Sequence, residues 1–230
     1  NMKKLITILF FTLYMGASHA LVIDGLTLGV SGSVTNIEAS GTETEGGETN
    51  SINSVDNERV LIPSLFIEYD LPIFNGISIG LDYIPVDADV SDKAMVRKDT
   101  ETSVTGTATT TTTARTQSAQ AELTDHYTLY ADVMFTDSFY VKGGFVQVDL
   151  NTLESLGTGS AYGNKTVNGM LAGFGFKTDS MIGKYMKLEA VWTDYDDISI
   201  SSTVARTGVT TNNKIDADLD TTAIKIAFGF

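Results

Sequence analysis

Apolar and polar residues alternate with a period of two along most of the chain. In Leu26-Thr27-Leu28-Gly29-Val30-Ser31-Gly32-Ser33-Val34 the apolar side chains fall on even positions, with small polar ones between. That spacing puts the two sets on opposite faces of a strand, whereas an amphipathic helix needs a repeat of 3.6. The alternation returns over Ser64 to Leu71, Ile77 to Pro85, Tyr127 to Phe135, Phe139 to Asp149, Met186 to Tyr195 and Thr222 to Phe230, and more weakly over Thr166 to Lys177. The pattern predicts eight strands and no helix, so the fold class is all-β.

The links between these strands alternate in length. Pro72 to Gly76, Thr136 to Ser138 and roughly Thr178 to Lys184 are short and carry turn residues, while 39–59, 91–123, 151–164 and 201–214 are long and polar. Short turns at one end and long loops at the other describe an eight-stranded antiparallel up-and-down transmembrane β-barrel. A secreted lipocalin-like barrel is the soluble rival, and it would put its apolar residues inside. The two faces decide between them. One face reads Leu26, Leu28, Val30, then Leu65, Ile67, Tyr69, and ends in Ile224, Ile226, Phe228, Phe230. The other carries Glu68, Asp82, Asp132, Lys142, Lys187, Glu189 and Lys225. Charges at strand centres cannot face lipid, so the charged face turns inward, where four acids and three lysines pair in a lumen just wide enough for side chains. Lys142 and Lys187 should each contact one of these acids. The inward glycines and serines of the first strand leave room for them.

Aromatic residues stand at two levels, as a membrane girdle requires: Tyr69, Phe74, Phe135, Phe139, Tyr185, Phe228 and Phe230 near the short turns, and Tyr83, Tyr127 and Trp192 near the loops. The N-terminus reads as a signal peptide, residues 1–20: a basic start at Lys3 and Lys4, an apolar run from Leu5 to Met15, and a cleavage pattern Ser18-His19-Ala20. The apolar run is about half of the roughly 20 residues a transmembrane helix needs. Residues 21–230 then form one barrel domain. A net charge of −14 repels nucleic-acid phosphates, and the absence of cysteine excludes disulfides, thiolate metal sites and cysteine nucleophiles. Ten threonines lie between Thr100 and Thr116, a low-complexity segment without alternation that reads as a mobile surface loop or a contact surface for phage or other cells.

The signal peptide, the segment Pro63-Ser64-Leu65-Phe66-Ile67-Glu68-Tyr69-Asp70-Leu71-Pro72 with Gly80-Leu81-Asp82-Tyr83, and the ending Ile224-Lys225-Ile226-Ala227-Phe228-Gly229-Phe230 resemble the OmpA/OmpW-type outer-membrane β-barrel proteins. The resemblance implies a Gram-negative outer membrane, with both chain ends periplasmic and Phe228 and Phe230 read by the barrel-assembly machinery. The lumen charges, read as a plug of ion pairs, favour a structural or surface-interaction role, and the OmpW-like side of the resemblance implies a porin-like conduit for small or apolar molecules as the alternative. Some barrels of this size are lipid A-modifying enzymes built on a histidine, a serine and a carboxylate. His126 beside Asp125 gives no local signature of such a triad, so no enzyme is expected. No cofactor is expected beyond Ca²⁺ or Mg²⁺ at the rim. Strand parity carries Asp194, Asp196, Asp216, Asp218 and Asp220 onto one outer face above the apolar band, where they could bridge a divalent ion to lipopolysaccharide phosphates.

Overall fold

The computed structural model describes residues 23–44, 51–90, 95–105, 109–153, 161–203 and 211–230. The signal segment, residues 1–20, lies outside the described residues. Among the described residues there are twelve strands: β1 (Leu26–Thr44), β2 (Ser51–Asp70), β3 (Ile77–Ile84), β4 (Ala88–Asp89), β5 (Met95–Thr105), β6 (Thr109–Ala119), β7 (Ala121–Met134), β8 (Phe139–Thr152), β9 (Lys165–Asp179), β10 (Tyr185–Tyr195), β11 (Ile198–Ser201) and β12 (Lys214–Gly229). Neighbours pair antiparallel in the order β1-β2-β3-β7-β8-β9-β10-β12, and β12 returns to β1, closing an eight-stranded barrel. Closure removes the free edges that an open sheet would expose. The short strands β4 and β11 extend the wall at the loop end by pairing with β7 and β12.

Several stretches expected as loops are strand. β1 continues to Thr44 and β2 begins at Ser51, with register unbroken from Leu26↔Tyr69 to Thr44↔Ser51. At about 3.3 Å per residue β1 is roughly 60 Å long, well over twice the ~25 Å height of an outer-membrane apolar band. The upper part of the wall therefore stands clear of hydrocarbon, and its polarity inverts. On β12 the outward row runs Phe230, Phe228, Ile226, Ile224, then Thr222, Asp220, Asp218, Asp216. The inward row runs Gly229, Ala227, Lys225, then Ala223, Thr221, Leu219, Ala217, Ile215. Below the crossover the barrel is apolar outside and polar inside, and above it the order is that of a water-soluble barrel.

Ile37, Leu123, Val146, Val148, Leu150 and Leu219 form a buried apolar core with others in that upper half. Residues 95–119, inside a stretch expected as a loop, are largely strand as well. The segment forms the hairpin β5–β6, which among the described residues is a two-stranded sheet of its own, in register from Met95↔Ala119 to Thr105↔Thr109. Threonine's branched Cβ favours extended backbone, and that preference holds here without an apolar face to bury.

Candidate functional site in the barrel lumen

An exposed apolar belt encircles the lower barrel: Leu28, Ile79, Leu129, Val141, Phe174, Leu188 and Ile226 all point outward with large exposed areas. Phe135, Phe139 and Phe230 stand at its short-turn edge and Tyr127 and Trp192 at its loop edge. Only a hydrocarbon environment relieves so continuous a band around a wall whose inside is charged. Tyr185 is not in this girdle. Its side chain is buried in the lumen, where its hydroxyl donates to Glu68 at 2.9 Å.

Inside the belt the ionic side chains converge. Glu68, 1 % exposed, accepts from Lys187, from Tyr130 at 3.1 Å and from Tyr185, with Lys177 at 3.5 Å. Lys187, 2 % exposed, also reaches Asp132 at 2.7 Å. Lys142 lies 2.7 Å from Glu189 and 3.5 Å from Asp132. Tyr140 donates to Glu189 at 2.5 Å. Lys225 pairs with Asp82, which also accepts from Ser64 at 3.0 Å. Five of the expected seven, Glu68, Asp132, Lys142, Lys187 and Glu189, meet in one network, and Asp82 with Lys225 forms a separate inward pair. Lys177 is an eighth that the sequence reading missed because the alternation around it is weak, and it balances four acids with four lysines.

The phenols are held by glycines. Each of four inward aromatic rings lies across its direct pairing partner: Phe66 on Gly29, Tyr130 on Gly80, Tyr140 on Gly175 and Tyr185 on Gly229. A Cβ on Gly80 would come within 2.2 Å of the Tyr130 ring, and one on Gly175 within 2.4 Å of Tyr140. Space left by the inward glycines is therefore taken by aromatic rings, not by the long lysine and glutamate chains expected there. The rings in turn carry cations, with Lys142 Nζ 3.8 Å from the Tyr130 centroid and Lys177 Nζ 4.1 Å from that of Tyr185.

At the loop end, Asp194, Asp196, Asp216, Asp218 and Asp220 are all exposed, but the register separates them. Asp194 faces Asp220, whose other neighbour is Glu38, whereas Asp216 faces Ser199 of β11 and pairs with Lys214 at 2.8 Å. Parity alone could not show that β11 replaces β10 beside the upper part of β12. Among the described residues no three such side chains converge to hold a metal ion. Partial burial, then the charges of Asp194, Glu38 and Asp218, push the Asp220 carboxyl above its ordinary 3.8. The hydrogen bond from Lys214 holds Asp216 below it.

Phe228 and Phe230 close the last strand on its outward row, and Phe230 N–H donates to Leu28 O at 2.8 Å across the β1 seam. His126 and Asp125 turn to opposite faces: Asp125 is exposed outside, and His126 Nε2 lies 2.9 Å from the Tyr195 hydroxyl inside. No carboxylate orients the imidazole.

No family model matches the chain, and no curated protein matches its sequence. Solved structures do match its shape. The outer membrane protein OprG from Pseudomonas aeruginosa aligns with a TM-score of 0.50 at 14% identity, covering 89% of this chain and 96% of that one. The outer membrane protein AlkL aligns at 0.47 and 9% identity, over 93% and 94%. Neisserial surface protein A aligns at 0.39 and 10% identity, over 90% and 100%. The closed antiparallel barrel and the likeness to OprG show the fold of an eight-stranded outer-membrane barrel.

Proposed function

We propose that this is an outer-membrane barrel with a structural and surface-interaction role, its lumen closed to ions and its loop end displayed to the outside. The observation that carries the reading is the filled interior. Paired charges and phenols occupy the lower lumen, and the apolar core occupies the upper one. An ion crossing this interior would have to break buried pairs and then shed its hydration among aliphatic side chains. Short turns and both chain ends sit on the periplasmic side. Lipopolysaccharide and lipid surround the belt, the assembly machinery engages the ending at Phe228 and Phe230, and the hairpin β5–β6 is available to a phage or cell-surface partner.

Single-channel recording of the purified barrel in planar bilayers tests this directly. Silent traces are expected; steady openings would instead establish the conduit reading. A lipid A-modifying activity has less support, because His126 is bonded to a phenol and Asp125 lies on the other face of the wall. Deleting Phe230 should leave secreted protein stalled in the periplasm, and normal heat-modifiable barrels in the outer membrane would overturn the assembly role.

A further inference from the structure

The hairpin β5–β6 leaves the wall at β7: β6 ends at Ala119 and β7 begins at Ala121, and between them Gln120 exchanges backbone hydrogen bonds with Leu153 in both directions. The far end of the hairpin is the pair Thr105↔Thr109, ten residue steps from Met95↔Ala119, or roughly 33 Å of ribbon. Among the described residues neither strand has a second neighbour, so each presents a row of N–H and C=O groups along its outer edge.

The two edges are not alike. A free edge is ordinarily guarded by charge, proline or a bulge. β5 carries Arg97, Lys98, Asp99 and Glu101, whereas β6 has no proline, keeps an unbroken register and carries one charge, Arg115. From Thr102 to Ala114 the chain has no charged residue. Thr109 to Thr113 are five threonines in a row, high in β-propensity and uncharged, the composition of segments that pair with their own kind. A run of one residue offers a foreign strand little to read, but it is its own complement. About a two-fold axis at Thr112, Thr111 meets Thr113, and threonine opposite threonine is a favourable cross-strand pair.

We infer that the outer edge of β6 pairs, antiparallel, with β6 of a second copy of this chain standing in a facing membrane, so that two hairpins form one four-stranded sheet between cells. The inference rests on the surface role proposed above and names its partner. The sense of pairing follows from Arg115. Parallel pairing in register would set Arg115 beside Arg115 at the strand spacing of ~4.8 Å, whereas antiparallel pairing about Thr112 sets it against Thr109. The sense in turn places the partner. Each β6 runs from the far end of its hairpin back to its own wall, so antiparallel strands put the two walls at opposite ends of the shared sheet. Asp194, Asp218 and Asp220 are exposed at each rim, and two such rims would repel on contact. A ribbon several times longer than the ~8 Å screening length of physiological salt keeps them apart. A single pairing is weak, and many copies on two cells add by avidity.

The chain has no cysteine, so single substitutions report cleanly. Two populations of a Gram-negative host make the full chain with different epitope tags, each with Thr111→Cys, Thr112→Cys, Thr113→Cys or Gln117→Cys, and are mixed under mild oxidation. A membrane-impermeant maleimide on unmixed cells first reads whether the cysteine lies outside. Dimers formed within one cell carry one tag only. We expect labelling, then a disulfide-linked dimer bearing both tags at one or more of positions 111–113, and about tenfold less of it at Gln117, which stands away from the axis. Adding Thr111→Lys and Thr113→Lys to Thr112→Cys sets like charges opposite each other and should abolish the mixed dimer, with heat-modifiable mobility showing the barrel folded. Labelling without a mixed dimer, as much dimer at Gln117 as at Thr112, or a dimer that survives the two lysines would each overturn the inference and leave the surface role standing. Labelling only after the outer membrane is permeabilised would overturn both.

Discussion

Glu68 shows how much one lumen residue carries: two phenols and a lysine donate to it while a second lysine stands 3.5 Å away. Removing Lys187 leaves Glu68 and Asp132, both buried, with one fewer cation. Breaking a buried pair from one side costs roughly 3 to 5 kcal/mol, so Lys187→Met should lower the urea midpoint sharply, read from Trp192 fluorescence. An unchanged midpoint would mean that the lysine is hydrated. Gly175 gives a second test. A methyl there meets the Tyr140 ring, and forcing atoms into packed space typically costs about 1 to 3 kcal/mol, so Gly175→Ala should destabilise while Gly143→Ala, with open space around its Cβ, should not. Period-two parity made Glu68, Lys142 and Lys187 legible as inward residues, because a charge at a strand centre has one tolerable side. The same parity puts Tyr185 with Lys187 and Glu189 on the inward row, and the girdle expectation for it rests on its height near the short turns alone.

At the scale of the strand, polarity inverts partway along each long element. On β12 the inward row changes from Lys225 to Leu219 while the outward row changes from Ile224 to Asp220. The lower segments were legible because their outward residues are apolar. The upper ones were read as loops because their polar residues face water and their apolar ones are spaced as in any strand but on the opposite parity. Leu219 is buried in this upper core, so Leu219→Ala should cost about 2 to 5 kcal/mol even though the position lies above the belt. Unfolding midpoints in one detergent would show it, and a neutral result would mean that the upper wall contributes nothing to stability. The rim has the opposite character. Asp220 has its folded pKa raised above the ordinary 3.8, so the folded state binds that proton more tightly than the unfolded chain. Its contribution therefore becomes more favourable as pH falls through the raised value towards 3.8 and is unfavourable at neutral pH. Asp220→Asn should raise the melting temperature at pH 7 and lessen its dependence on salt, whereas a lower melting temperature would show that the carboxylate has a stabilising partner.

For the whole molecule, three layers of different chemistry share one wall: a lipid-covered belt around an ionic core, a water-covered upper barrel around an apolar core, and a hairpin beyond both. The first two are joined by continuous ladders, such as β1 with β2, and should unfold together. Among the described residues the hairpin is a two-stranded sheet of its own, and Val90 N–H donates to Ala121 O at 2.9 Å, so the wall is already tied at the point where the hairpin leaves it. Opening or cutting the hairpin should therefore leave the barrel intact. It carries Arg97, Lys98 and Arg115, three trypsin sites in a two-stranded ribbon, an arrangement that is marginal in water without a third strand. If the loop end faces outward, trypsin added to intact cells should cut within 95–119. The two fragments should stay together as one heat-modifiable barrel with an unchanged melting temperature. Protection in intact cells, with cleavage only after the outer membrane is permeabilised, would place the hairpin in the periplasm and reverse the orientation on which the surface role depends.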